Sequence, residues 1–270
     1  MELKRIGLIV NPNAGMGGRV GLKGTDGLDI LEQARRLGAR PESPHRAVEA
    51  LEVLARIQIS LEILALSAEM GEEECLQAGL HPTIIGSIRS GSTTADDTRR
   101  AAAAMVAAGI DLLLFAGGDG TARNVLDAVG QETPVLGIPA GVKIHSGVFA
   151  VTPRCSGQVA AMFIEGKLPN VREAEVMDID EDAFRRGSLS AKLYGYMLVP
   201  DERRYIQSVK AGGGQSEQAA LQGAAAEIIE GMNQTDLYII GPGTTTRAIM
   251  DRLGLKNTLL GVDIIRDRRL

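Results

Sequence analysis

Short apolar runs alternate with stretches of helical spacing through the first half of the chain. Residues 6–10, 61–66, 83–86, 110–114 and 134–138 are the runs, each the length of a buried strand. Between the first two, Ile30, Leu31, Ala34 and Leu37 fall at helical spacing and stop at Gly38. Ser43 and Pro44 open a second helix, with proline at the first helical position and Ala47, Leu51, Leu54 and Ala55 on one face. Gly71 and three glutamates open a third, acids suiting a helix N-terminus. Thr94 with Asp97 reads as a capping box, Asp standing for Glu or Gln, ahead of a helix that stops near Gly109. Residues 122–129 and 152–164 are further helices. The alternation predicts a Rossmann-like α/β domain, a parallel sheet with helices on both faces.

The pattern changes after residue 164. Residues 171–180 and 190–199 read as two strands joined by a charged segment. A domain boundary is placed near Pro169, giving an α/β domain over 1–168 and a smaller, mixed β-containing domain over 169–270. In the latter, a glycine run precedes a helix over 219–232, a strand over 235–240, a glycine turn opening another helix, and a last strand over 258–265. The chain stops soon after this strand with no later element to cover it, as a truncated domain would.

Composition narrows the class. Aromatics are only 3% of residues, with no Trp, so stacking platforms for single-stranded nucleic acid are lacking. A net charge of −5 also argues against a nucleic-acid surface. Cys75 and Cys155 make neither a disulfide framework nor a zinc cluster, and read as two buried thiols. The N-terminus leads straight into a strand without a signal-peptide core, and no apolar run has membrane-spanning length. The expected setting is the cytoplasm, away from membranes.

The candidate chemistry sits at strand ends. Phe115-Ala116-Gly117-Gly118-Asp119-Gly120-Thr121 joins a strand to a helix, with one carboxylate among three glycines. Glycines let main-chain N–H groups approach a ligand, and a helix start attracts anions, so a carboxylate there needs a metal or a hydroxyl between itself and phosphate. After the first strand comes Asn11-Pro12-Asn13-Ala14-Gly15-Met16-Gly17-Gly18, with Arg19 and Lys23 beyond it. This turn suits a phosphate chain, against the alternative of a solvated connection. After the fifth strand, Lys143 and His145 stand in a glycine-bounded loop. They fit phosphate binding or acid–base chemistry, and His145 equally fits a structural hydrogen bond. Gly241-Pro242-Gly243-Thr244-Thr245-Thr246-Arg247 repeats the theme, as an anion site or a threonine-capped helix. Asp178, Asp180, Glu181 and Asp182 suit a solvated turn better than a metal.

Three of these pieces resemble the NAD kinase and diacylglycerol kinase superfamily: Gly117-Gly118-Asp119-Gly120-Thr121, Asn11-Pro12-Asn13-Ala14-Gly15, and the strand and loop 134–141. The resemblance covers roughly residues 5–150. Lys143 to Ser146 and Gly241 to Thr246 look most like the bacterial ATP-NAD kinase-like branch that includes the acetoin-catabolism X proteins. The resemblance implies an ATP-dependent kinase with Mg²⁺, phosphorylating NAD to NADP. Asp119 takes the place of the aspartate that contacts the accepting ribose hydroxyl and is the proposed base. Gly117, Gly118, Gly120 and Thr121 would shape the phosphate turn. Asn11, Gly15, Gly17, Gly18, Asn124, Lys143, His145, Gly243, Thr244 and Thr245 would lie against the nucleotides. A homo-oligomer is what the resemblance suggests.

Two departures bear on the acceptor. No Asn-Glu or Asn-Asp pair for the adenine of NAD stands between residues 171 and 199, and residues 140–146 replace a Gly-x-x-Gly-Phe-Leu pattern. The alternatives are therefore another small hydroxyl-bearing metabolite, a lipid, or a non-catalytic nucleotide-binding regulator. A Rossmann dehydrogenase is disfavoured, since residues 11–18 do not carry its glycine fingerprint.

Overall fold

Five of the apolar runs line up side by side because each is flanked by a crossover helix that returns the chain to the same edge direction. A computed structural model describes residues 3–16, 20, 28–141, 144–179, 191–202, 204–207, 215–241, 244–256 and 262–269. The strands are β1 (Lys4–Val10), β2 (Leu61–Leu66), β3 (Thr83–Gly86), β4 (Leu112–Gly117) and β5 (Val135–Pro139). All pair in parallel, in the order β3-β2-β1-β4-β5. Ile6 lies opposite both Ile63 and Leu112, so β1 is central and its side chains from Ile6 on are buried.

The helices are α1 (Leu28–Arg36), α2 (Ser43–Leu54), α3 (Glu72–Gln77), α4 (Ala95–Ala107), α5 (Asp119–Val129) and α6 (Pro153–Ile164), with a 3-10 turn at Ala68–Met70. Helices α2 and α6 pack together over β4 and β5, and α4 packs on α5 while lying against β1, β2 and β3. Parallel crossovers are right-handed as a rule, and with the strand order reversing after β3 that rule puts the two pairs on opposite faces of the sheet. The capping box ahead of α4 is present: the Thr94 N–H donates to Asp97 Oδ2 at 2.8 Å.

Strands β6 (Val171–Ile179) and β7 (Ala191–Pro200) form an antiparallel hairpin, with a register shift at Val176/Met177. Its inner residues Ala174, Val176, Met197 and Val199 are fully buried in the same core as β1 and β4. The described residues fall into two compact units, the first reaching to 179 and including 191–207, the second running from 215 on. The hairpin thus counts with the first unit, while the boundary read near Pro169 falls between α6 and the hairpin. The reason is that one hairpin face is apolar and finds its cover on β5, α5 and α6.

In the second unit, α7 (Gln215–Glu230) packs on α8 (Thr244–Leu253) around Ala225, Ala248 and Ile249. β8 (Leu237–Ile240) and β9 (Asp263–Arg266) pair antiparallel, with Ile239 opposite Ile264. The strand expected to be buried shows two different faces: Ile265 is fully buried, Ile264 is exposed. Among the described residues no helix is long and apolar enough to cross a membrane.

One buried acid has a measurable consequence. Glu74 on α3 is 1% exposed, and its Oε2 has no hydrogen-bond partner. Burial, with a smaller push from Glu73 and Glu69, raises its carboxyl from 4.5 to about 7. The folded value lies above the unfolded one, so the native state holds the extra proton between them. Its contribution to stability is complete below the unfolded value and is lost as pH rises through about 7. Glu74→Gln is expected to flatten this dependence and to be more stable at alkaline pH by roughly 2–3 kcal/mol. Denaturant titrations on either side of neutrality check it; parallel losses in both proteins would rule Glu74 out as the source. Cys75 beside it is also buried, and its thiol is pushed up to about 12, whereas Cys155 is half-exposed.

Candidate active site

In the order β3-β2-β1-β4-β5, the direction in which strands are added reverses between β1 and β4, and open α/β sheets bind ligands beyond the strand carboxyl ends at that point. The two segments leaving those ends are the ones singled out in the sequence. Asn11 continues the β1–β4 ladder, its N–H donating to the Ala116 carbonyl at 3.0 Å. Its side chain then works in two directions. Oδ1 accepts the Asn13 N–H at 3.1 Å, closing the turn, and Nδ2 donates to Thr121 Oγ1 at 2.9 Å. Asn13 Nδ2 reaches Thr93 Oγ1 at 3.3 Å. Gly15 adopts φ +85° and lies so close to the Ala140 carbonyl that no side chain fits between them. Ala140 in turn donates its N–H to the Gly117 carbonyl at 2.9 Å. The three loops after β1, β4 and β5 are therefore tied to one another through main-chain atoms and two short polar side chains.

Gly117 is the last residue of β4 and Asp119 the first of α5, so the turn between them is Gly118 alone. The N–H groups of Asp119, Gly120 and Thr121 fall in the first helical turn, where no intrahelical carbonyl can take them. Beside Gly118, the nearest atom to where a side chain would begin is Gly141 Cα, at 4.0 Å. Two bare backbones thus pass close to each other beside a helix start, whose free N–H groups are of the kind that bind anions.

Asp119 is 7% exposed and its carboxylate oxygens are not idle. Oδ2 accepts the His145 N–H at 2.8 Å and lies 3.0 Å from His145 Nδ1. Oδ1 accepts the Ser146 N–H at 3.0 Å and the Ser146 hydroxyl at 2.7 Å. A carboxylate in its ionised form can only accept, so a bond to it from the ring is one that Nδ1–H donates. The His145 side chain is 27% exposed. Ser146 is fully buried and is gripped from its other side by β6: its Oγ accepts the Met177 N–H at 2.9 Å and lies 2.8 Å from the Met177 carbonyl. Asp178, next on β6, pairs with Arg123 of α5 at 2.9 Å, and the Arg123 guanidinium also lies 4.3 Å from the Tyr194 ring centre.

The structure thus gathers Asn11, Gly15, Gly117, Gly118, Asp119, Gly120, Thr121 and His145 at one sheet end. Asn124 sits elsewhere on α5, where its Oδ1 accepts from Arg99 Nη2 of α4 at 3.0 Å. Gly17, Gly18, Lys143 and Gly243 lie outside the described residues. Thr244 and Thr245 open α8 in the second unit, and the neighbouring Thr246 hydroxyl donates to the Gly241 carbonyl at 2.7 Å. In the acidic stretch, Asp178 is ion-paired and the other three acids lie outside the described residues. Ser146 and the main chain of Met177 were not singled out by sequence. Ser146 adjoins His145 and shares its loop, the one signal that could have marked it. Nothing in the letters of Met177 announces the role of its amide.

The family profile described as ATP-NAD kinase N-terminal domain matches residues 6–168, more than half of the chain. That span opens in β1 and closes just past α6, so it holds all three tied loops. No curated protein and no solved structure matches the chain.

Proposed function

Because the chain belongs to the ATP-NAD kinase family, and is thereby an ATP-dependent phosphotransferase, we propose that it transfers the γ-phosphoryl group of ATP to a ribose hydroxyl of NAD, giving NADP. The observation that carries this reading is the convergence of the loops after β1, β4 and β5 around Asp119 at the point where the order of strand addition reverses. Phosphoryl transfer asks a protein mainly for positioning and charge stabilisation. The first N–H groups of α5, beside glycines that carry no side chain over them, are donors for phosphate oxygens. Asn11 and Thr121 keep that turn in place by the bond between their side chains.

Magnesium would reduce the charge of the triphosphate when bound. The Asp119 carboxylate does not fit a direct ligand for it, since both oxygens are already engaged by the 145–146 segment. Among the described residues no group of three or more His, Cys, Asp or Glu converges to hold a metal. When bound with the nucleotide, the ion would leave Asp119 to the 145–146 segment. What this chain's residues must still do is orient the acceptor hydroxyl and take its proton.

The reading is tested by incubating the purified protein with ATP, Mg²⁺ and NAD and measuring NADP with an NADP-specific dehydrogenase. NADP appearing in step with ADP is the expected result. ATP binding without NADP would remove NAD as the acceptor and turn attention to other small hydroxyl compounds.

A further inference from the structure

We propose that Ser146 is a positioning residue: it holds the Asp119 carboxylate away from the first turn of α5 and so keeps the N–H groups of that turn for nucleotide phosphate. This rests on the phosphoryl-transfer reading, in which α5 meets phosphate, but not on NAD being the acceptor. The conflict that Ser146 resolves is built into the sequence. Asp119 is the first residue of α5, and a negative side chain in a first helical turn is attracted to the N–H groups there. Phosphate oxygens are attracted to the same groups. Both anions cannot have them. Left to itself, Asp119 would be an internal competitor of ATP.

The carboxylate is turned the other way. Among the described residues, its hydrogen bonds all come from the 145–146 segment and none from its own helix. The main-chain ladder of α5 begins with the Ala122 N–H on the Gly118 carbonyl at 3.0 Å, so the N–H groups of Asp119, Gly120 and Thr121 stand ahead of it. Ser146 supplies two of the bonds to Asp119, including the shortest, from its hydroxyl at 2.7 Å. That hydroxyl has one proton to give. Of the two oxygens within its reach, the Asp119 carboxylate at 2.7 Å and the Met177 carbonyl at 2.8 Å, the charged one makes the stronger bond. Ser146 can resist the pull of the helix because it is fully buried and anchored behind. Its Oγ accepts the Met177 N–H at 2.9 Å, and the next residue, Gly147, donates its N–H to the Glu175 carbonyl at 2.8 Å. Two consecutive residues are thus pinned to β6.

Removing the hydroxyl takes away the shortest of these bonds and leaves Oδ1 with the main-chain N–H of residue 146 alone. The carboxylate is then freer to turn toward the N–H groups of α5, and ATP must displace it to bind. The weakening is competitive, and its agent is the charge at residue 119. Ser146 therefore matters to the nucleotide only while residue 119 carries that charge.

The test measures binding of ATP with Mg²⁺ by isothermal titration calorimetry in the full chain, for Ser146→Ala, Asp119→Asn and the double variant, with NADP formation followed alongside. Ser146→Ala should raise the Kd for ATP about tenfold, as one charge-assisted hydrogen bond on the carboxylate is given up. In turnover the loss should fall on KM for ATP more than on kcat, since saturating nucleotide displaces the carboxylate again. In the Asp119→Asn background, adding Ser146→Ala should change the Kd by less than about twofold. Should Ser146→Ala fail to fold, Ser146→Cys, whose thiol donates weakly, enters the same comparison. An equal loss in both backgrounds would mean that Ser146 only supports the loop through Met177 and would overturn the proposal, as would an unchanged Kd in Ser146→Ala. The expected binding pattern without any NADP would discard NAD as acceptor and uphold Ser146. NADP formation with a Kd that Ser146→Ala leaves alone would do the reverse. Failure of the unsubstituted protein to bind ATP would overturn both readings.

Discussion

Replacing Gly15 by alanine is expected to lower phosphoryl transfer by about 100-fold while leaving the sheet folded. Two costs coincide at this residue. Its φ of +85° is one that a side chain resists, at about 1–2 kcal/mol. The new methyl group would also fall far inside contact distance of the Ala140 carbonyl, with Glu42 Cβ at 3.1 Å on another side. A carbonyl cannot rotate aside as a side chain can, because Ala140 is fixed through its N–H to Gly117. The loops after β1 and β5 must therefore part, and the approach of Gly141 to Gly118 changes with them. A displacement of about 1 Å at reacting groups is enough for a loss of this size. Steady-state kinetics should show it in kcat, with circular dichroism near that of the unsubstituted protein. A rate within a few-fold of the original would mean that the first loop is not part of the nucleotide cradle.

The second large effect lies away from the site. Gly157 is where α6 meets α2, and a methyl group there would run into the Ala50 carbonyl and stand 2.8 Å from Val53 Cβ. Both partners belong to a helix packed on the sheet, and Ala50 is fully buried. The helices can relieve the clash only by separating, which opens the core along β4 and β5. Gly157→Ala should cost roughly 3 kcal/mol, or about 6–12 °C of melting temperature for a domain of this size. Gly223→Ala is the comparison: nothing lies within 4 Å of the position on α7, and alanine there should stabilise by about 0.5–1 kcal/mol. Equal melting temperatures for Gly157→Ala and the unsubstituted protein would show that α2 and α6 do not cross as closely as described.

The fold was legible wherever burial repeats with a fixed period. The runs that became β1, β2, β4 and β5 are nearly continuous in apolar residues because most of their side chains are buried, whereas the edge strand β3 has none buried, and the glycines and capping residues between the runs mark the helix ends. The glycine motif and the turn at Asn11 could be placed at strand ends for the same reason, and the bond between Asn11 and Thr121 follows from that placement. The partner of Asp119 was not legible. His145 and Ser146 lie 26 and 27 positions further along, in a loop whose spacing carries no period, so the sequence reading gave Asp119 the base role without the group that occupies it. The hairpin shows the same limit. Its alternation reveals two strands, but which neighbouring surface they cover is decided by the shape of β5, α5 and α6. Asn124 sits on the correct helix, yet the side of a helix that a polar residue favours is set by its neighbours, here Arg99.

The grip of β6 on Ser146 has a bearing on how such proteins diverge. Both Met177 atoms involved, N–H and carbonyl, are present in every amino acid except proline, which lacks the first. Selection acting on the tether therefore sees the path of the hairpin and hardly sees its letters. The hairpin can drift in sequence, and change what it presents to an acceptor, while still fastening the same loop.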